Sequence, residues 1–229
     1  MSRRAAIATM VFDLDDTLVA TGRSYSRALS VLGGYDVDPG VFVAAHRRWW
    51  AAYQSGGCTM EELYQGRMRD CGLSGDLARE ANDQFVQASA AIRWRRGARG
   101  LLTGLRSLHV KTVVLTNGGS RSQRQKMARL GLQELVDAVV ISDEISQVKP
   151  SAGAFNAALQ AVAGAANSTA MVGDDLKVDV EAALAAGFAR AVWVTTNPRQ
   201  LTDHRIVKVR RLDQVADALE MPDWLRPGR

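Results

Sequence analysis

From about residue 98 onward, short apolar, β-branched runs alternate with amphipathic stretches, and this pattern constrains the fold more than any other feature. The runs are 112–115, 138–141, 169–172, 191–194 and 206–209. The stretches are 98–108, 120–130, 151–163, 177–186 and 212–219. Strands alternating with helices join through right-handed crossovers, giving a parallel sheet with helices on both faces. One more run, residues 8–13, supplies a strand far upstream. Between it and the alternating region the periodicity is helical, over 24–33, 40–54, 60–70 and 77–92. Gly33-Gly34, Gly56-Gly57 and Gly72 with Gly75 break these stretches. The expectation is an α/β core formed by residues 1–20 and 95–229, interrupted by an all-helical insert over 21–94.

Composition removes other classes. The chain has 229 residues, 47% hydrophobic and 23% charged, which excludes disorder, collagen and coiled coil. Cys58 and Cys71 are too few for a disulfide framework or a four-cysteine zinc site. His46, His109 and His204 show no metal-ligand spacing. No apolar run approaches the roughly 18 residues of a spanning helix. Arg3 and Arg4 precede an apolar stretch too short for a secretion signal. A cytoplasmic protein is expected. Its net charge of +5 and pI near 9.6 suit an anionic partner, either nucleic acid or a phosphate ester. Only five of the 29 basic side chains are lysine, and none precedes Lys111.

Ligands of open parallel sheets bind beyond the carboxyl ends of the strands, and the polar residues of this sequence gather there. The first run ends in Asp13, followed by Asp15 and Thr17; the second ends in Thr116-Asn117. Lys149-Pro150 opens a helix after the third, and the fourth ends in Gly173-Asp174-Asp175, with Asp179 a turn later. Carboxylates gathered at one edge repel unless a cation lies among them. All-oxygen ligation suits Mg2+. The alternative is that these acids cap helices.

Asp13-Leu14-Asp15-Asp16-Thr17 resembles the DxDxT signature of the haloacid dehalogenase superfamily of phosphohydrolases. Thr116, Lys149 and Gly173-Asp174-Asp175 with Asp179 are similar to its other three motifs, in order. The resemblance implies a Rossmann-like core with a mobile cap. It implies that Asp13 attacks phosphorus to form an aspartyl phosphate, while Asp15 protonates the leaving oxygen and then activates water. It places Mg2+ on Asp13, the Asp15 carbonyl and Asp174. Thr116, Asn117 and Lys149 are the implied phosphate contacts, and Asp179 a support for Lys149 or for a metal-bound water. Asp175 is either a water-mediated metal contact or a helix N-cap.

Within the family, Asp15 argues against dehalogenation, and the lysine-free first 110 residues exclude the Schiff-base phosphonate hydrolases. Leu115-Thr116-Asn117-Gly118-Gly119, Gln123, Lys126 and Leu130-Gly131-Leu132 resemble a pattern of capped phosphatases acting on small metabolites such as nucleotides, phosphoglycolate and acylneuraminate. The expected function is a Mg2+-dependent phosphatase for a small phosphorylated metabolite, acting as a monomer or homodimer. The alternatives are a phosphomutase, a phosphometabolite sensor and a nucleic-acid binder. The last is disfavoured because the arginines are interleaved with acids. In the insert, His46-Arg47-Arg48-Trp49-Trp50 reads either as a substrate pocket or as an ordinary amphipathic helix face. Adjacent helical residues point about 100° apart, which favours the second. Trp94 reads as packing where the insert rejoins the core, and residues 18–23 as a flexible hinge.

Overall fold

The computed structural model describes residues 7–221; residues 1–6, with Arg3 and Arg4, and residues 222–229 lie outside the described residues. The strands are β1 (Thr9–Phe12), β2 (Val19–Ala20), β3 (Arg93–Trp94), β4 (Lys111–Thr116), β5 (Ala138–Ile141), β6 (Thr169–Gly173), β7 (Arg190–Val194) and β8 (Ile206–Val209). The helices are α1 (Gly22–Leu32), α2 (Pro39–Gln54), α3 (Met60–Asp70), α4 (Gly75–Ser89), α5 (Ala98–Ser107), α6 (Ser120–Leu130), α7 (Ser142–Ile145), α8 (Ala152–Ala161), α9 (Ala182–Ala185) and α10 (Val215–Ala218).

The described residues fall into two compact units, one formed by residues 7–20, 93–117 and 130–221, the other by 21–92 and 118–129. The first unit is a parallel α/β sheet of six strands in the order β5-β4-β1-β6-β7-β8. Every residue of β1 is buried, as a central strand covered on both faces requires. Phe12 pairs with Val114 on one side and Val172 on the other. Strand order reverses at β1: β4 and β5 build outward one way, β6 to β8 the other. The crevice at such a reversal is where ligands of this architecture sit. On one face Val11, Val113 and Met171 pack with Phe155 of α8, whose ring meets Phe188 edge-on at 5.7 Å. Met10, Phe12 and Val172 alternate to the opposite face, and α5 packs against β4.

The structure adds local detail to the expected elements. β2 and β3 pair antiparallel, Val19 with Trp94 and Ala20 with Arg93. Part of the segment expected as a hinge is therefore strand, and Trp94 lies in a ladder. The stretch 177–186 begins earlier, as a π-type turn over Leu176–Glu181, before α9. The stretch 151–163 stops at Ala161, because Ala163 takes a left-handed conformation (φ 48°). The last stretch shortens to a 3-10 turn and α10.

The second unit contains α1 to α4 and nearly all of α6. Its core joins Ala28, Leu32, Phe42, Met68, Ala81 and Phe85. Asp38 caps α2 through the Val41 amide (2.9 Å), with Pro39 at the first helical position. Thr59 and Glu62 form a capping box on α3. Gly66 of α3 admits the Trp49 ring so closely that a Cβ there would lie 2.2 Å from it.

Candidate active site

Asp13 follows β1 directly, and its amide still donates to the Val172 carbonyl (2.9 Å), which fixes the residue beside β6. The chain then turns sharply. The amides of Leu18 and Val19 both donate to the Leu14 carbonyl, and Asp16 adopts φ 58°. Asp15 lies half-buried in this turn, bridged to Val19. The Thr17 hydroxyl donates to Oδ1 of Asp174 (3.2 Å).

Lys149 is the centre of the cluster. It is 2% exposed, and its Nζ donates to Oδ1 of Asp13 and to Oδ1 of Asp179, each at 2.7 Å. Its backbone is held as firmly. The Asn117 carboxamide accepts from the Lys149 amide and donates to the Lys149 carbonyl, both at 2.9 Å. Asn117 thus spans from the end of β4 to the start of the segment leading into α8. The Lys149-Pro150 peptide is cis. Thr116, the last residue of β4, is buried opposite Ile141 of β5.

Asp174 and Asp175 follow β6. The Asp175 carboxylate accepts from the amides of Lys177 and Val178 (2.8 and 2.9 Å), so it caps the π-type turn. That turn brings the buried Asp179 back over the strand end, where its Oδ2 accepts from the Asp175 amide (3.2 Å). Gly173 makes this approach possible, since a Cβ there would lie 2.4 Å from Asp179.

Burial and like charge dominate the electrostatics. Burial pushes Asp13 above the usual carboxylate range; Lys149 opposes that shift, and Asp179 and Asp174 add to it. Burial alone would lower Lys149, but Asp13 and Asp179 overcome this and hold it above the ordinary lysine value. Asp174 is raised to about 6, by burial first and then by Asp179 and Asp16, against the Thr17 hydroxyl. Asp13, Asp174 and Asp179 each offer an oxygen within 4.8 Å of the others. Three carboxylates against one lysine leave excess negative charge in a partly desolvated place. A hard, oxygen-seeking divalent cation fits such a donor set.

The structure therefore brings Asp13, Lys149, Asp174 and Asp179 together, with Asn117 bracing the lysine and Asp175 capping a turn. Thr116 and Asp15 stand at the ends of the neighbouring strands. Gly173 and the indole of Trp193, whose Nε1 donates to the Asp174 carbonyl (2.8 Å), also belong to the site.

In the helical unit, the Trp49 indole and the Arg48 guanidinium both bind Asp70, and Arg47 is exposed. Trp50 packs against Tyr53 and His46. That segment therefore packs as an ordinary helix. Arg67 is the basic residue that sequence reasoning passed over. It is buried among the Phe42, Tyr64 and Phe85 rings, 4.8 to 5.2 Å from their centroids. It donates to Nδ1 of His46 (3.1 Å) and to Asn82. Its place four residues after Leu63, on the buried side of α3, was the available signal. Cys58 and Cys71 are both free, and burial raises both thiols.

The fold is a Rossmann-like α/β sheet with a carboxylate cluster at the carboxyl ends of β1 and β6. Residues 7–187 match the haloacid dehalogenase-like hydrolase family, and the chain belongs to that family. It is 30% identical over 197 residues to the pyrimidine 5'-nucleotidase YjjG of Escherichia coli, covering 82% of this chain and 86% of that protein. It is 31% identical to a phosphoserine phosphatase of Thermus thermophilus, over 63% of this chain and 61% of that protein. Among solved structures it is similar to the HAD-hydrolase YfnB of Bacillus subtilis, bound to magnesium, with a TM-score of 0.79. That likeness covers 96% of this chain and 100% of that one, at 19% identity.

Proposed function

We propose that the protein is a Mg2+-dependent phosphatase that hydrolyses a small, soluble phosphate monoester through an aspartyl-phosphate intermediate. The observation that carries this reading is the buried Lys149 ammonium shared between Asp13 and Asp179, with Asp174 in reach. A lysine held there both orients the Asp13 carboxylate and offsets charge on an incoming phosphoryl group.

Asp13, the Asp15 carbonyl and Asp174 would hold the ion, which supplies charge neutralisation at the phosphoryl oxygens. Lys149 binds Oδ1 of Asp13, and Oδ2 is the attacking oxygen. Attack forms the Asp13–phosphorus bond and breaks the ester bond, and the leaving oxygen takes its proton from Asp15. Water then attacks the same phosphorus and gives its proton to Asp15. The Asp13–phosphorus bond breaks, inorganic phosphate leaves and Asp13 returns as a carboxylate. Thr116 donates to a phosphoryl oxygen. Asn117 serves the phosphate through its grip on the Lys149 backbone, and Asp175 serves by shaping the turn that carries Asp179.

The curated relatives point to nucleotides, phosphoserine and sugar phosphates as the substrates to try first, with pyrimidine nucleoside monophosphates at the head. Two unpaired thiols suit the reducing cytoplasm. No helix among the described residues is long and apolar enough to cross a membrane. The test is turnover of an aryl phosphate with and without Mg2+, beside Asp13→Asn. Mg2+-dependent release of phosphate that the variant lacks supports the reading. Equal rates in both proteins overturn it, and a panel of phosphate esters ranked by kcat/KM then names the substrate.

A further inference from the structure

β6 leaves the ladder at Gly173, which faces Trp193 of β7. The next carbonyl, that of Asp174, accepts from the Trp193 side chain instead, through Nε1 at 2.8 Å. The amide at the other end of that peptide, on Asp175, donates to Oδ2 of Asp179 at 3.2 Å. Both polar ends of the peptide joining Asp174 to Asp175 are thus held by side chains. The Asp174 carboxylate leaves the chain one bond before that peptide, so fixing the peptide limits where the carboxylate can point. Trp193 is itself well fixed. It is 5% exposed and packs in the sheet core. Nζ of Lys208 lies 5.5 Å from its ring and donates to the carbonyls of Asn197 (2.5 Å) and Arg199 (2.7 Å).

We infer that Trp193 is a positioning residue: its indole N–H, with Asp179, locks the 174–175 peptide and so sets the affinity of the Asp174 carboxylate for a divalent cation. This rests on the Mg2+-dependent reading above. An indole N–H can only donate, and a buried one takes the acceptor in reach. Without it the Asp174 carbonyl would turn toward another donor and carry the carboxylate with it. Groups that orient metal ligands through hydrogen bonds typically change metal affinity by about ten- to a hundredfold when removed.

The test is Trp193→Phe, which keeps an aromatic ring and removes the N–H. Mg2+ binding is measured by calorimetry without substrate, and aryl-phosphate kinetics over a range of Mg2+. The expected result is a Mg2+ dissociation constant raised about tenfold. Excess Mg2+ should recover most of kcat, while KM for the ester at saturating Mg2+ stays close to wild type. Unchanged Mg2+ affinity overturns the inference. So does a loss of kcat that no concentration of Mg2+ restores, the mark of a merely structural tryptophan. Should the variant fail to fold, the Trp193 indole resonance in 15N-tryptophan-labelled wild type decides. Slow solvent exchange, and a shift on adding Mg2+ that follows the calorimetric constant, support the inference; rapid exchange or no response overturns it. Wild type that binds no Mg2+ overturns the phosphatase reading instead, so the two failures are told apart.

Discussion

Lys149 is the residue on which the site turns. Replacing it with Met removes the cation between two buried carboxylates and leaves both without their counter-charge. Breaking a buried pair in this way costs about 3–5 kcal/mol, which urea denaturation of the metal-free protein would show. Loss of a charge-stabilising contact to a reacting group lowers kcat by about 10²–10³, and aryl-phosphate turnover would read it. Gly173→Ala makes a different prediction. The added Cβ meets Asp179 at 2.4 Å, so Asp179 must withdraw from Lys149. Activity should fall well before the melting temperature does. Asp13, Asp15 and Asp174 were legible because each ends or closely follows an apolar run, while Lys149 and Asp179 lie further on and stood out by the family's motifs. Which of them touch was not legible. The bonds from Asn117 to Lys149 and from Trp193 to Asp174 join residues 32 and 19 positions apart, and only strand register brings them together. Trp193 reads in sequence as one more apolar residue of a buried strand.

Elements show the same division. Strands β1 and β4 to β8 stand out in the sequence because buried parallel strands are nearly continuous apolar runs. β2 and β3 have two residues each and no periodicity to detect. The helices of the second unit announce themselves by helical periodicity between glycine breaks, while the chemistry inside their core is hidden. There His46 is held neutral, its pKa lowered to about 3 by burial and then by Arg67. The unfolded chain takes up a proton below about 6.5 that the folded chain refuses, so stability falls as pH drops through that window. The expected slope is about 1.4 kcal/mol per pH unit between the two values. His46→Gln keeps an acceptor for Arg67 and should flatten the slope, as read by chemical denaturation at a series of pH values. Gly66→Ala on α3 drives a methyl into the Trp49 ring. Overpacking of this kind costs about 1–3 kcal/mol, measured the same way.

At the scale of the whole molecule, the strand order that creates the site also delays its assembly. Thr9 pairs with Lys111 on one side and Thr169 on the other, so β1 joins partners far along the chain. Contacts so distant in sequence form late. Pulse-labelling by hydrogen exchange should find the amides of α1 to α4 protected before those of Met10 to Phe12. The sheet class was readable from the alternation of runs and stretches; the place of β1 at the centre depended on pairings that no local pattern encodes. The short ladder of β2 and β3 has a consequence of a different kind. Ala20 and Arg93 are paired across it, so residues 21–92 leave and return through neighbouring strands, about 5 Å apart. A segment with adjacent ends is a cassette. It can lengthen, shorten or be replaced by another stretch whose ends also meet, while the pairing of β1 with β4 and β6 stays as it is. Lineages carrying this sheet could therefore diversify in that segment while the acidic edge of the sheet remained under separate selection.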